Sequence, residues 1–386
     1  MPVVISKELF YEKISKELDC RVIHYWTDNC VQGALPALPQ VAIGVAKFFL
    51  PIYLLRMAID YRRKKKNILK TFVIRELRSI LYGASLSLII ISSICLLGKI
   101  CGRIHYYNLL LIPGFLSGLG ILVESDENQT LDTLIFFNSF IETNLNALKV
   151  NTTKQAILFV IFSGILMQLF ENRKEELNFN YWWFYTPPLK KISNDNHQNK
   201  CSHENSCRFF ITNGVKNYFM LGAGINITKR LLGSFKLLIK SPAKLVNVVF
   251  HKSNVYFGLL IAAYVGIYRA ITCYLRQTQL LSEKWHGLLA GAISGVPYCF
   301  YPTIQLPVLA ITTTLQIFYH NLCKHYNITN HFYQRLLLYQ CVHACNLHTN
   351  FFYPNISSPY YSKMVDACTN RLTSKIYDQL VEKYFL

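Results

Sequence analysis

The stretch Gly287-Leu288-Leu289-Ala290-Gly291-Ala292-Ile293-Ser294-Gly295 places a glycine at every fourth position of an apolar run. On a helix, residues four apart share a face, so the three glycines form one smooth stripe. Oily side chains gain nothing by leaving lipid. Helices there associate instead by close backbone approach, and small residues at this spacing permit it. A shorter copy, Gly114-Phe115-Leu116-Ser117-Gly118, lies 177 positions earlier (291 − 114 = 177; 295 − 118 = 177). Gly114, Gly118, Gly287, Gly291 and Gly295 read as helix-packing positions; the functional alternative is a close-packed wall facing a groove or pore.

The composition agrees with a lipid setting. The chain has 386 residues, 52% of them hydrophobic, and a mean hydropathy of +0.23. Only 16% are charged, against about a quarter in soluble domains. The fold class expected is all-α: a polytopic helical membrane protein. The net charge of +19 sits in short runs beside apolar segments, which suits the positive-inside rule and anionic headgroups. No recognition motif accompanies it, so nucleic acid is not an expected partner. The first 30 residues are peppered with charge, from Lys7 to Arg21, with no early apolar run. Any targeting signal is therefore expected to be internal. No phosphate loop, dinucleotide fingerprint or nucleophile motif stands in a suitable context. Neither an enzyme nor a cofactor is expected.

Taken in order, residues 1–19 form a polar N-terminal segment and 20–149 a first membrane repeat. Spans are expected at 38–59, 79–98, 107–123 and 131–149. Arg62, Arg63, Lys64, Lys65 and Lys66 make the strongest orientation signal. They read as a cytosolic stop-transfer flank lying against membrane lipid. Residues 150–196 form a linker with an apolar segment at 154–170 and a polar loop carrying Trp182-Trp183 and Pro187-Pro188. Residues 197–324 form a second membrane repeat. In it, 214–240 is a weak span or a surface helix, and spans follow at 255–275, 286–301 and 304–322. Residues 325–386 are an amphipathic tail, with helices at about 333–348 and 360–384.

The offset of 177 extends beyond the glycines. Leu131–Asn146 lies over Val308–Cys323, and Cys30 over Cys207; at 175, Tyr82-Gly83 falls on Phe257-Gly258. The chain thus reads as two pseudo-repeats of about four short glycine-patterned helices. Each opens with a Cys/His group: Cys20, His24 and Cys30, then Cys201, His203 and Cys207. The basic loops after each first segment favour parallel copies, which requires an even number of crossings between matching segments. Either 154–170 fails to span, or 214–240 does.

Cys30, Cys201, His203 and Cys207, with His197 nearby, are of the types that hold zinc, although the spacing is not that of a standard finger or ribbon. Unlinked thiols, an inter-repeat metal site and a Cys30–Cys207 disulfide all remain open. Cys95, Cys273 and Cys299 lie in apolar segments and read as small hydrophobes. Cys341-x-His343-x-Cys345-x₂-His348 reads as a packed helix face rather than a ligand set. Glu142 and Arg269 are the intramembrane polar residues. Charge at that depth needs a partner, and the two are matched here as an ion pair across the repeats.

Several features together resemble one family, transmembrane protein 135. They include His24 and Cys30, Pro113-Gly114, Ile121-Leu122-Val123-Glu124 and Glu142-Thr143 in the first half. In the second they include Tyr268, Cys273, Leu275-Arg276, His286, Ala290-Gly291 and Gly295. The Cys201, His203, Cys207 group and Pro359-Tyr360-Tyr361-x-Lys363 also fit. The short glycine-patterned helices are distantly similar to the mitochondrial inner-membrane preprotein translocases, as a fold-level analogy. The resemblance implies a non-enzymatic multi-pass protein of mitochondrial and peroxisomal membranes. It further implies a role in the balance of mitochondrial fission and fusion, through the dynamin-related fission GTPase, and in peroxisome or lipid homeostasis. A transporter or lipid conduit between the repeats is the alternative.

Overall fold

A computed structural model describes residues 3–15, 18, 24, 26–27, 29–64, 66–173, 183–188, 201, 203, 206–234, 241, 243–328 and 331–385. Cys20, Lys65, Trp182, His197 and the basic residues Lys236 and Lys240 lie outside these. Among the described residues the chain is helical, with no strand. The principal helices are α1 (Ala37–Arg62), α2 (Ile68–Ile100), α3 (Leu111–Ser117), α4 (Asp126–Ala147), α5 (Thr152–Glu171), α6 (Cys207–Gly233), α7 (Lys252–Thr278), α8 (His286–Ser294), α9 (Gln305–His325), α10 (Phe332–Phe352), α11 (Pro359–Cys368) and α12 (Leu372–Phe385).

Among the described residues, five stretches are long and apolar enough to cross a bilayer: Ala37–Arg62, Ile68–Ile100, Tyr106–Val123, Thr152–Glu171 and Lys244–Thr278. On α1 and α2 the side chains of Leu50, Leu55, Ile59, Leu69, Leu77, Leu81 and Leu96 are exposed. A continuous apolar face of this kind is untenable in water and ordinary in lipid. The spans expected at 131–149, 286–301 and 304–322 are not among the five. Helix α4 carries Asp132, Asn138, Glu142, Asn144 and Asn146. Helix α8 has nine residues before Pro297 opens a 3₁₀ turn, a rise of about 14 Å against a core of about 30 Å. Helix α9 is unbroken, but Thr312-Thr313-Thr314 and Gln316 interrupt its apolar run. Of the two segments left open, 152–171 has the length and apolarity to span, and α6 is not among the five.

The chain divides into two compact units, residues 1–149 with 330–386, and residues 150–329. The tail does not stand apart, because α10, α11 and α12 build the core of the first unit. There Leu347, Phe351, Phe352 and Leu380 pack with Phe10, Ile14, Tyr106 and Leu109. Helix α5 supplies Phe159, Leu166, Met167 and Phe170 to the core of the second unit.

Within the first unit α1 and α2 form an antiparallel hairpin. The Tyr53 and Ser79 hydroxyls are 2.6 Å apart near the turn, and Gly83 seats Val45 further along. In the second unit α6 and α7 pair in the same sense: Asn226 donates to Asn254 at 2.9 Å, and Gly258 seats Phe219. A short helix then follows each hairpin and carries the glycines. A Cβ added to Gly114 would lie 3.0 Å from Ala344 Cα, and one on Gly118 would lie 2.9 Å from Gln340 Cα, both on α10. A Cβ on Gly291 would lie 2.6 Å from Ser163 O, one on Gly287 2.9 Å from Gln168 Cα, and one on Gly295 2.9 Å from Val160 Cα, all on α5. Both stripes are therefore covered by a helix, and neither opens on a groove at these positions. Close backbone approach is the interaction that lipid leaves available.

Candidate functional site

Two groups of cysteine and histidine stand out, one in each unit. In the second unit, Ser206 caps α6 by accepting from the Phe209 N–H at 3.3 Å, which fixes Cys207 in the first turn. The chain just before it brings up Cys201 and His203. Cys273 comes from the far end of α7. The ligand atoms of Cys201, His203, Cys207 and Cys273 all lie within 4.8 Å of one another. Cys201 Sγ is 3.8 Å from Cys207 Sγ, nearly twice the length of a disulfide bond. His203 Nε2 is 3.3 Å from Cys273 Sγ. The His203 ring stacks on Phe210, with centroids 4.6 Å apart and planes 20° off parallel. Gln277 Nε2 donates to Cys207 Sγ at 3.3 Å. Burial, and then the neighbouring Cys207 thiol, push the Cys201 thiol above its ordinary value. Sulfurs crowded away from water keep their protons until a cation replaces them.

In the first unit, His24, Cys30 and Cys95 form the matching group, again within 4.8 Å. His24 is fully buried. Its Nδ1 lies 2.8 Å from the Thr27 carbonyl oxygen. A carbonyl can only accept, so the proton sits on Nδ1 and the lone pair on Nε2. That Nε2 is buried and has no hydrogen-bond partner among the described residues. Gly33 leaves room for the ring, since a Cβ there would lie 2.7 Å from His24 Cγ.

The structure thus splits the Cys/His residues into two groups instead of joining Cys30 to Cys207. Each of those cysteines has its group partners inside its own unit, and both carry free thiols. Cys95 and Cys273, read from sequence as small hydrophobes, are group members. The signal that would have found them is the offset, since they lie 178 apart (273 − 95) where Cys30 and Cys207 lie 177 apart. The Cys341-to-His348 run does not converge. His343 Nε2 pairs with Ser117 Oγ at 3.1 Å, His348 packs on Tyr106 and Phe352, and Cys341 is exposed.

Glu142 and Arg269 each find hydrogen-bond partners within their own unit. Ser358 Oγ donates to Glu142 Oε2 at 2.6 Å, and the Ser358 N–H donates to Thr143 Oγ1 at 3.1 Å. Ser358 is the N-cap of α11, so Glu142-Thr143 grips the start of that helix. Arg269 Nη1 donates to the Phe210 carbonyl at 2.6 Å, and the guanidinium lies 4.1 Å from the Phe210 ring centroid. A desolvated cation over an aromatic face is worth about 2 kcal/mol. Gly214 clears the space for it, since a Cβ there would lie 2.6 Å from Arg269 Nη1.

The turn between α1 and α2 presents Arg62, Arg63, Lys64 and Lys66 to solvent. Lys64 and Asn67 take left-handed backbone angles there. The acidic groups nearby pair with other cations: Asp60 with Arg75 at 3.1 Å and Glu127 with Arg56 at 2.9 Å. No protein-family model matches the chain, and no solved structure matches it.

Proposed function

We propose that this chain is a non-enzymatic scaffold of organelle membranes, which uses its basic turn to hold anionic lipid and to gather cytosolic partners. The observation that carries this reading is the exposed cluster of Arg62, Arg63, Lys64 and Lys66 at the end of a lipid-facing helical hairpin. Each such cation near an anionic surface is worth about 1 kcal/mol. The resemblance in sequence points this scaffold to mitochondrial and peroxisomal membranes. It points also to the balance of fission and fusion, with the dynamin-related fission GTPase as partner, and to peroxisome or lipid homeostasis. The conduit alternative would run past the glycine stripes, and what favours the scaffold over it is that α5 and α10 lie on those stripes.

The proposal extends to architecture. The two units are copies of one five-helix element, α1–α5 and α6–α10, whose fifth helices are exchanged. Supporting this, Gly114 meets Ala344 while Gly291 meets Met167, and both pairs of positions are 177 apart (291 − 114; 344 − 167).

The test is reconstitution in vesicles containing phosphatidylserine. The parent should bind them in a salt-sensitive way, and changing Arg62, Arg63, Lys64, Lys65 and Lys66 to Gln should weaken that binding and alter organelle shape in cells. Solute flux or lipid transfer by the folded parent would overturn the reading in favour of the conduit.

A further inference from the structure

We propose that the Cys201, His203, Cys207, Cys273 group is a structural zinc site, independent of the scaffold reading. The chemistry of the donors selects the ion. Three thiols and an imidazole match the Cys₃His sets of closed tetrahedral zinc sites. The geometry selects it too. With Zn–S of about 2.3 Å and Zn–N of about 2.05 Å, a tetrahedron has S–S edges of about 3.8 Å and an S–N edge of about 3.6 Å. The observed separations are 3.8 Å for Cys201 to Cys207 and 3.3 Å for His203 to Cys273. All four ligand atoms lie within 4.8 Å of one another, which fits one ion at the centre. Outer-sphere support is in place. The Gln277 amide donates to the Cys207 sulfur, and Phe210 holds the plane of the His203 ring. Three thiolates around a dication leave one net negative charge. Binding exchanges thiol protons for Zn²⁺ and changes no oxidation state.

A different observation carries a second site. His24 Nε2 is buried, holds its lone pair and has no hydrogen-bond partner among the described residues, while its Nδ1–H is anchored on a backbone carbonyl. That anchored tautomer is the usual state of a metal-ligating histidine. Cys30 and Cys95 complete a three-ligand set.

Position explains what the ions do. The α1–α2 hairpin is joined at one end by its basic turn. Cys30 just before α1 and Cys95 near the end of α2 lie at the other end. Cys207 at the start of α6 and Cys273 near the end of α7 lie likewise at the open end of theirs. Each ion clips shut the end of a hairpin that the chain leaves unconnected.

The experiment is metal analysis of the full-length protein purified in detergent under reducing conditions with Zn²⁺ supplied. The expected content is two zinc per chain, falling to one in Cys201→Ser/Cys207→Ser and to one in His24→Ala/Cys30→Ser. Replacement of zinc by Co²⁺ should give the visible bands of a tetrahedral cobalt thiolate. His203→Cys should keep its metal and strengthen the sulfur-to-cobalt charge-transfer band, which keeps the test decisive if the serine variants fail to fold. Metal-free parent protein, or a His203→Cys spectrum unchanged from the parent, would overturn the Cys₃His site. One zinc in the parent, lost with Cys201 and Cys207 but not with His24 and Cys30, would overturn the second.

Discussion

Replacing Gly291 with Ala tests whether backbone proximity holds the second unit together. The added Cβ would stand 2.6 Å from both Ser163 O and Met167 Cβ, where ordinary contacts begin at 3.4 Å. Helices α5 and α8 must therefore part by about 0.8 Å (3.4 − 2.6). A gap of that size forfeits about a quarter to a half of each dispersion contact along the seam, and overpacking costs about 1–3 kcal/mol. Alanine returns about 1 kcal/mol of helix propensity. The net expectation is a loss of up to about 2 kcal/mol, and a larger loss for Gly291→Leu. Gly224 supplies the control. It lies inside α6, is exposed, and has nothing within 4 Å of an added Cβ, so Gly224→Ala should gain about 1 kcal/mol from propensity alone. Thermal unfolding in detergent, followed by helical circular dichroism, reads both. The reasoning fails if the two alanines move the midpoint the same way, or if Gly291→Leu is as stable as the parent.

Burial holds His343 down at about 4, against an ordinary 6.5. Its folded value lies below its unfolded one, so the stability it contributes is complete above pH 6.5 and is lost as pH falls toward 4. About 2 kcal/mol should be gone by pH 5, and His343→Gln should flatten urea-unfolding midpoints measured over that window. Glu142→Ala leaves the buried Ser358 hydroxyl without its acceptor and should cost about 2–3 kcal/mol. Exchanging the charges of Glu142 and Arg269 should rescue nothing in the same unfolding assay. Because the second unit is continuous in sequence, residues 150–329 should resist protease when expressed alone. Residues 1–149 should do so only when 330–386 is co-expressed, and protection of 1–149 by itself would refute the division.

What the sequence makes legible is what a single residue type enforces. Glycine at every fourth position admits a helix and little else, so Gly287, Gly291 and Gly295 announce a seam. The other side of the seam is silent. Ser163, Met167, Ala344 and Gln340 share no single residue type, and their role depends on which helix arrives. Cys273 and Cys95 were hidden for a related reason, since a thiol in an apolar helix looks the same whether it packs or ligates. Glu142 and Arg269 advertise a need for partners. The sequence could not say that a serine at a helix cap and the face of Phe210 would meet it, because both partners are reached only by folding. The tail was legible as helices but not as core, since Tyr339, Phe352 and Tyr361 become an interior only when Phe136 and Tyr106 pack on them.

Chain order then imposes a consequence on assembly. The glycines of α3 are in place from the middle of the first unit, yet the helix that covers them is α10, more than 200 positions later (332 − 118 = 214). Until α10 is made, Gly114 and Gly118 face lipid or another helix, and Phe10, Ile14 and Leu109 lack Leu347, Phe351 and Phe352. The second unit has no such wait, because α5 precedes α8 in the chain and is already present when Gly287, Gly291 and Gly295 emerge. A glycine stripe therefore serves the first unit in a second way, since a surface without side chains offers a wrong helix little to grip while the right one is still to come. The hydrogen bonds that finally select α10 lie beside the stripe. The His343 ring meets Ser117 Oγ, and the Asn346 amide donates to the Phe136 carbonyl at 2.8 Å. Closeness supplies the attraction, and these buried polar pairs set which helix may come that close.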